Sequence, residues 1–135
     1  MEQTLLIIKP DAVNRNLTGE VLKRVEEAGF KIEELKMLKV SPEEGGKFYQ
    51  VHGGKPFYDE LVEYISSGKI VVAFLKRVKA VEELRKLIGS TDPGKAEKET
   101  IRADYGLNVC HNSVHASDSV ENAKVEIDFF FGKRS

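Results

Sequence analysis

The feature that most constrains the fold is the apolar run Ile70-Val71-Val72-Ala73-Phe74-Leu75. Successive residues of a strand point to opposite faces of a sheet, so a strand that is apolar at every position has no face left for water. The short length of the run and its β-branched residues favour a strand over a buried helix. The segment Lys69 to Arg77 is therefore predicted to be a central strand.

Other periodic segments surround this strand. Gln3 to Lys9 predicts a buried strand that ends in a loop at Pro10-Asp11-Ala12, and Lys31 to Val40 alternates like a longer strand. A short strand is expected around Val114, and Ser90 to Thr100 reads as a surface loop. Apolar spacing and capping residues predict helices at Val21 to Ala28, after Ser41-Pro42-Glu43-Glu44, from Phe57 to Ile65, from Val81 to Ile88, and from Ser119 to Phe130.

The order of these elements predicts an α+β fold. We expect a ferredoxin-like sandwich, a four-stranded antiparallel sheet with the helices packed on one face. A chain of 135 residues is long enough for one ordinary core and too short for two. Residues 1–135 are therefore expected to form a single domain.

Composition excludes several classes of function. Hydrophobic residues make up 41% of the chain and charged residues 32%, which is typical of a globular protein. The net charge of -1 predicts neither nucleic acid nor membrane as a partner, and no apolar stretch approaches the roughly 20 residues of a membrane span. With one cysteine, Cys110, and no signal-peptide pattern at the N-terminus, a cytoplasmic location is expected.

Two motifs resemble functional sites but lack the required context. Gly89 to Ala96 has the glycine and lysine spacing of a phosphate-binding loop, but Ala96 stands where Ser or Thr would bind the metal and a helix is predicted before it. His111 and His115 are four residues apart, yet their segment has no helical periodicity and is not expected to place both on one ion. No metal-binding residues are predicted.

The strongest candidates for chemistry are charged or nucleophilic residues at the edge of the predicted core. His115 lies among small residues in the stretch Asn112 to Asp118, and Glu126 borders the apolar stripe of the last helix, where a carboxylate needs a partner such as His115. Arg85 lies on the apolar stripe of the helix from Val81, so its guanidinium should emerge beside the core. Each charge taken alone is equally well explained as a charged side chain at the rim of a core.

Four further residues have both a structural and a functional interpretation. Lys9 closes the first strand, Arg102 follows the long loop, and both are ordinary surface charges when taken alone. Tyr49 and Phe57 are aromatic residues at helical spacing, which usually belong to the core.

Taken together, the motifs resemble those of the nucleoside diphosphate kinase family over nearly the whole chain. Several separate motifs in one order are far more specific than any one of them. They are Ile8-Lys9-Pro10-Asp11-Ala12-Val13, Lys55-Pro56-Phe57, Gly89-Ser90-Thr91-Asp92-Pro93, Thr100 to Gly106, and Asn112 to Asp118.

The resemblance implies a ping-pong reaction through a phosphohistidine. His115 would take the terminal phosphoryl group of a nucleoside triphosphate, mainly ATP, and pass it to a nucleoside diphosphate, with broad base and sugar specificity. Glu126 and Ser117 would support the histidine. The remaining roles implied are contact with the phosphates by Lys9, Tyr49, Arg85, Thr91 and Arg102, contact with the ribose 3′-hydroxyl by Lys9 and Asn112, and walls for the base by Phe57 and Val109.

The chemistry of these residue types agrees with the implied roles. Phosphoryl transfer depends mainly on positioning and charge stabilisation, which three cations and two hydroxyls around an imidazole can provide. Mg²⁺ is expected to arrive on the nucleotide, because it retains waters and binds substrate phosphates. A slot between Phe57 and Val109 offers no hydrogen bonds that would distinguish one base from another, so weak discrimination between bases is expected.

One position departs from the family pattern. Ala116 stands where glycine usually follows the histidine. Alanine would cost about 1 kcal/mol if the backbone there has positive φ, and its methyl could displace the histidine if glycine allows close approach. The resemblance also implies a homo-oligomer, a hexamer or a tetramer, and the short tail Gly132 to Ser135 leaves its type open.

Two other classes of protein would fit the order of elements. A non-catalytic ferredoxin-like module that binds a nucleotide or RNA should show exposed aromatic residues on its central strands and a basic face, which Ile70 to Leu75 and the net charge of -1 do not provide. A purely structural oligomer would leave Arg85, Glu126 and His115 without a common explanation.

Overall fold

The fold is built on a four-stranded sheet. The computed structural model describes residues 1–50, 58–108 and 111–132. Its strands are β1 (Glu2–Ile8), β2 (Lys31–Leu38), β3 (Ile70–Arg77) and β4 (Val114–Ala116). They lie in the order β2-β3-β1-β4, and every neighbouring pair is antiparallel. The sheet agrees with the predicted α+β class, and the predicted short strand near Val114 is β4.

The central position of β3 follows from its sequence. Residues Ile70 to Leu75 are all buried, as expected for a strand covered on both faces. β1 is its neighbour, and Leu6 pairs with Ala73 while Ile8 pairs with Val71. β2 lies at one edge of the sheet and β4 at the other.

The helices are α1 (Pro10–Asn14), α2 (Thr18–Glu27), α3 (Pro42–Phe48), α4 (Tyr58–Ile65), α5 (Ala80–Ile88), α6 (Ile101–Tyr105) and α7 (Val120–Phe131). Local sequence explains several of their ends. Ser41 and Glu44 form the predicted reciprocal capping box at the start of α3. Ser119 caps α7 by accepting a hydrogen bond from the backbone N–H of Asn122.

The expectation that helices cover only one face of the sheet is wrong. Side chains of β1 alternate between two separate apolar clusters, with Leu6 in one and Ile7 in the other. The first cluster includes Val21 of α2 and Leu84 of α5, and the second includes Ile127 of α7. Both faces need cover because β1 and β3 are apolar at successive positions.

Two short helices were not predicted: α1 lies where a loop was expected at Pro10-Asp11-Ala12, and α6 follows the loop expected over Ser90 to Thr100. The residues after Lys9 form α1, and those after Thr100 form α6. Pro10 suits the first turn of α1 because its fixed φ is helical and it lacks an N–H that would need a partner. Thr100 caps α6 by accepting from the N–H of Ala103. Both helices begin beside a residue predicted to contact phosphates, Lys9 and Arg102.

The loop between α5 and α6 contains a 3-10 turn at Pro93–Lys95. The segment Gly89 to Ala96 therefore follows a helix, which is not the strand-loop-helix context of a phosphate-binding loop. In the part of the chain that is described, no helix is both long enough and apolar enough to cross a membrane.

Candidate active site

His115 lies in the middle of β4 and contacts α7. Its Nε2 lies 3.0 Å from Oε1 of Glu126, and both side chains are about four-fifths buried. A carboxylate without a proton can only accept, so this contact favours the tautomer with hydrogen on Nε2. The lone pair available for attack would then be on Nδ1.

Ser117 ties this pair to the centre of the sheet. Its hydroxyl donates to Oε1 of Glu126 at 2.7 Å and accepts from the backbone N–H of Leu5 at 3.2 Å. Ser117 is fully buried. Because Leu5 belongs to β1, the carboxylate that contacts His115 is held by a strand in the interior of the sheet as well as by its own helix.

An aromatic ring covers another side of the histidine. Phe48, the last residue of α3, lies edge-on to His115 with ring centroids 5.4 Å apart and an interplanar angle of 75°. The same ring contacts Phe130 of α7 at 5.4 Å. Such edge-to-face contacts are favourable for aromatic rings, so Phe48 limits the orientations open to the imidazole.

Lys9 and Asn112 form the polar floor of the candidate site. The Lys9 ammonium donates to Oδ1 of Asn112 at 3.0 Å, and the side chains of both residues are buried. The side-chain amide of Asn112 donates to the carbonyl of Thr91 at 2.9 Å. This contact brings the long loop between α5 and α6 to the segment that precedes β4.

Arg102 lies beneath β4. Its guanidinium donates to the carbonyl of Val114 at 2.8 Å and to the carbonyl of Gly89 at 3.0 Å. Among the described residues, its buried Nε has no hydrogen-bond partner. Burial, together with the nearby positive charge of Arg85, lowers the pKa of Arg102 to about 10, while Tyr49 acts in the opposite direction. A buried guanidinium with an unsatisfied donor is suited to an anion.

Arg85 was predicted to emerge at the edge of the core. It lies on α5 beside the buried Leu84 and Ile88, but its own side chain is exposed. A groove of about 710 Å³ borders Arg85 and Thr91 and does not extend to His115. Tyr49 is buried at the end of α3, next to Phe48.

Phe57 and Val109, the two residues predicted to enclose the base, lie outside the described residues, as do Lys55 and Pro56. In the described part of the chain, one set of hydrogen bonds joins Lys9, Asn112 and Thr91, and another joins Ser117, Glu126 and His115. The groups that would contact the base stay predictions.

The positive φ considered for Ala116 is not observed. Ala116 lies in β4 opposite Leu6, and it is not among the residues with positive φ. Its methyl is buried in the core cluster that also contains Leu6 and Leu84. The unusual backbone conformation of this stretch is at Ser113, whose φ is 75°.

His111 and His115 face different neighbours. His111 stacks on Tyr64 with ring centroids 4.0 Å apart, whereas His115 contacts Phe48 and Glu126. Within residues 1–50, 58–108 and 111–132, no group of three or more His, Cys, Asp or Glu side chains is placed to hold a metal ion.

Sequence reasoning missed two residues of the site. Phe48 had no marker beyond its place on a helix, and its contact with His115 joins residues about half the chain length apart. Asp11 was noted only as part of a loop, but it bonds to Tyr64 and Ser113, which lie far from it in sequence. The proline and aspartate after Lys9 were the only available signal.

The chain is similar to known proteins over nearly its whole length. The nucleoside diphosphate kinase family matches the chain over residues 2–135. A nucleoside diphosphate kinase from Persephonella marina is 50% identical over 133 residues, which is 98% of this chain and 95% of the relative.

Solved structures show the same fold. A crystal structure of the Aquifex aeolicus nucleoside diphosphate kinase aligns with a TM-score of 0.94 at 45% identity, covering 96% of this chain and 94% of that one. The Halobacterium salinarum nucleoside diphosphate kinase, solved in complex with CDP, aligns with a TM-score of 0.93 at 36% identity, covering 96% and 87%. The chain belongs to the nucleoside diphosphate kinase family and is an enzyme that transfers a phosphoryl group from a nucleoside triphosphate to a nucleoside diphosphate.

Proposed function

We propose that His115 is the nucleophile of this kinase and carries the phosphoryl group between the two nucleotides. The observation that supports this most directly is the contact between Nε2 of His115 and Glu126 at 3.0 Å. The carboxylate fixes the tautomer and favours the positive charge that develops on the ring during attack. Ser117, which donates to the same oxygen, keeps the carboxylate in place.

Lys9, Arg85, Arg102, Tyr49 and Thr91 hold the phosphates in this proposal, and Lys9 with Asn112 reaches the ribose 3′-hydroxyl. Support comes from the hydrogen bonds that join Lys9 to Asn112 and Asn112 to Thr91. The bond from Arg102 to the carbonyl of Val114 holds a second cation at the residue that immediately precedes His115. Positioned cations stabilise the charge that spreads over the phosphoryl oxygens during transfer.

The reaction is a ping-pong exchange. Nδ1 of His115 forms a bond to the γ-phosphorus as the bond to the bridging oxygen of the triphosphate breaks, and the diphosphate departs. A second diphosphate then attacks the phosphohistidine and regenerates the free imidazole. Phe57 and Val109 contact the base without hydrogen bonds, so the enzyme accepts different bases and sugars, with ATP as the main donor.

Mg²⁺ enters as part of the nucleotide in this proposal. The groups assigned to the phosphates are cations and hydroxyls, which suit phosphate oxygens and are poor ligands for a divalent cation. The ion would neutralise phosphate charge and would be held by the phosphates and water. Removal of Mg²⁺ with EDTA should abolish transfer, and transfer that continues in EDTA would contradict this.

Labelling with ATP tests the role of His115. The unchanged protein should form an acid-labile, alkali-stable phosphoenzyme that disappears when a nucleoside diphosphate is added. His115→Ala should neither label nor turn over. His111→Ala is the matched control, since it removes a histidine four residues away that stacks on Tyr64, and it should still label. Labelling of His115→Ala would refute the assignment.

We further propose a homo-oligomer, hexamer or tetramer, acting in the cytoplasm, with residues 1–135 as one domain. Support for self-association comes from β2, an edge strand that leaves Leu35 and Met37 about half exposed. Unpaired strand edges with apolar side chains favour contact with another chain. Sedimentation analysis should give several times the monomer mass of 15.1 kDa, and a monomer at micromolar concentration would contradict it.

A further inference from the structure

One buried carboxylate outside the proposed catalytic groups joins three separate segments. Asp11 follows the floor residue Lys9 by two positions, in the first turn of α1, and its side chain is only 6% exposed. One of its oxygens accepts a hydrogen bond from the hydroxyl of Tyr64 in α4. The other accepts from Ser113 at 2.8 Å and from Arg15 at 2.9 Å.

The bond to Ser113 holds the turn that carries Asn112. Ser113 is fully buried and has a φ of 75°, a conformation that non-glycine residues rarely adopt. Its carbonyl accepts from the backbone N–H of Lys9 at 2.8 Å. The carboxylate of Asp11 therefore stabilises the unusual turn that sets Asn112 against the Lys9 ammonium.

The bonds to Tyr64 connect this floor to α4. The Tyr64 hydroxyl donates to the Asp11 carboxylate and accepts from the Asp11 backbone N–H at 2.8 Å. Its ring stacks on His111, the residue before Asn112. α4 begins at Tyr58, immediately after Phe57, which is assigned to the base in the proposed function. Tyr64 thus links α4, which begins next to the residue assigned to the base, to the polar floor formed by Lys9 and Asn112.

Arg15 completes the arrangement from the solvent side. It bonds to the carboxylate of Asp11, to the hydroxyl of Ser113 at 3.1 Å and to the carbonyl of Tyr105 at the end of α6. α6 carries Arg102. The carboxylate of Asp11 thus accepts from three side chains, Tyr64, Ser113 and Arg15, and each of them lies near a residue assigned to the nucleotide.

We infer that Asp11 and Tyr64 are positioning residues that fix α4 against the polar floor formed by Lys9 and Asn112 and so determine the affinity for the nucleotide. The inference rests on the proposed function of the floor residues. Neither side chain is assigned to the phosphates or to the support of His115 in the proposed function. Their loss should weaken binding of the nucleotide in both half-reactions and leave the chemical step unchanged.

Tyr64→Phe tests the inference because it removes one hydroxyl and keeps the ring stacked on His111. The dissociation constant for ADP, measured by calorimetry, and the KM for ADP should each rise about three- to tenfold. kcat should stay within about twofold. Tyr58→Phe is the matched control: it makes the same change on the same helix, where the hydroxyl bonds to the carbonyl of Gly46, and its ADP affinity should be unchanged.

A double-mutant cycle with Asp11→Asn shows whether the two residues act together. If they do, the double variant should raise the ADP dissociation constant by less than the product of the two single effects, because part of the bonding of the Tyr64 hydroxyl, its bond from the Asp11 backbone N–H, survives in Asp11→Asn. Unchanged ADP affinity in Tyr64→Phe, a fall in kcat without a change in affinity, or additive effects in the cycle would each overturn the inference. If Asp11→Asn does not fold, the comparison of Tyr64→Phe with Tyr58→Phe decides the matter alone.

The ADP titration is independent of the identity of the nucleophile. If His115→Ala still forms a phosphoenzyme, the proposed function fails whatever Tyr64→Phe does. If His115→Ala is inactive while Tyr64→Phe binds ADP normally, only the coupling through Asp11 fails.

Discussion

Replacement of Glu126 by glutamine removes a charge beside His115 with little change in shape. Oε1 of Glu126 contacts Nε2 of His115 at 3.0 Å and the hydroxyl of Ser117 at 2.7 Å. Glutamine has a carbonyl oxygen that can accept from both groups. The resting arrangement should therefore survive in Glu126→Gln, and the main loss is the negative charge.

The size of the effect follows from the two kinds of hydrogen bond. A bond to a charged acceptor contributes roughly 1.5–3 kcal/mol, and a neutral one roughly 0.5–1.5 kcal/mol. The difference of about 1–1.5 kcal/mol applies mainly to the transition state, because the imidazole gains positive charge only as it attacks. Phosphorylation of His115 should therefore slow about five- to tenfold.

Single-turnover labelling with ATP, stopped by rapid quenching, measures this step directly. Glu121→Gln is the matched control, since Glu121 is exposed in the first turn of the same helix. ADP affinity should stay within about twofold in both variants, because neither carboxylate is assigned to the phosphates. The reasoning is refuted if Glu126→Gln labels as fast as the unchanged protein, or if Glu121→Gln slows labelling equally.

Three further substitutions test other parts of the site. Ala116→Gly should lower the free energy of unfolding in urea by about 1–2 kcal/mol, because it removes a buried methyl group from a strand position without positive φ. Turnover should stay within about twofold. A more stable variant would contradict this prediction. Gly89→Ala should lower the free energy of unfolding by at least about 1 kcal/mol, because φ is 89° and the new Cβ would lie 2.5 Å from Oγ1 of Thr100. It should also impair turnover, because the carbonyl of Gly89 accepts a hydrogen bond from Arg102. Normal turnover would argue against a link between Gly89 and Arg102. Arg102→Met should lose more than half of the ADP-induced rise in Tm. Burial and Arg85 lower the pKa of Arg102 to about 10, so the charged guanidinium is destabilised in the free protein below that pH, and a bound phosphate relieves this penalty. An undiminished rise in Tm would refute the prediction.

Much of the fold could be predicted because its long elements carry their own periodicity. The run Ile70 to Leu75 predicted a central strand, and Ser41 with Glu44 predicted the start of α3. The error over which faces the helices cover was avoidable, since a strand that is apolar on both sides needs cover on both sides. The short helices α1 and α6 could not be read from periodicity, because five residues hold too little of it.

The residues of the site were likewise predictable only in part. Residue types and motif order indicated His115 with Glu126 as a candidate partner, because an ionisable group at a core edge has few explanations. The contacts of Phe48 and Asp11 depend on pairs of residues far apart in sequence, and a single sequence carries no record of such pairs.

The pairing of β1 with β4 has a consequence for how the enzyme tolerates change. Ile7 lies opposite His115, and the backbone of Lys9 bonds to Ser113, so the proposed nucleophile and Lys9 are attached to neighbouring positions of one strand pair. A core substitution or thermal expansion that shifts β1 carries both groups in the same direction, and the spacing between them is conserved. The spacing between His115 and Lys9 should therefore persist under changes that move β1 as a whole.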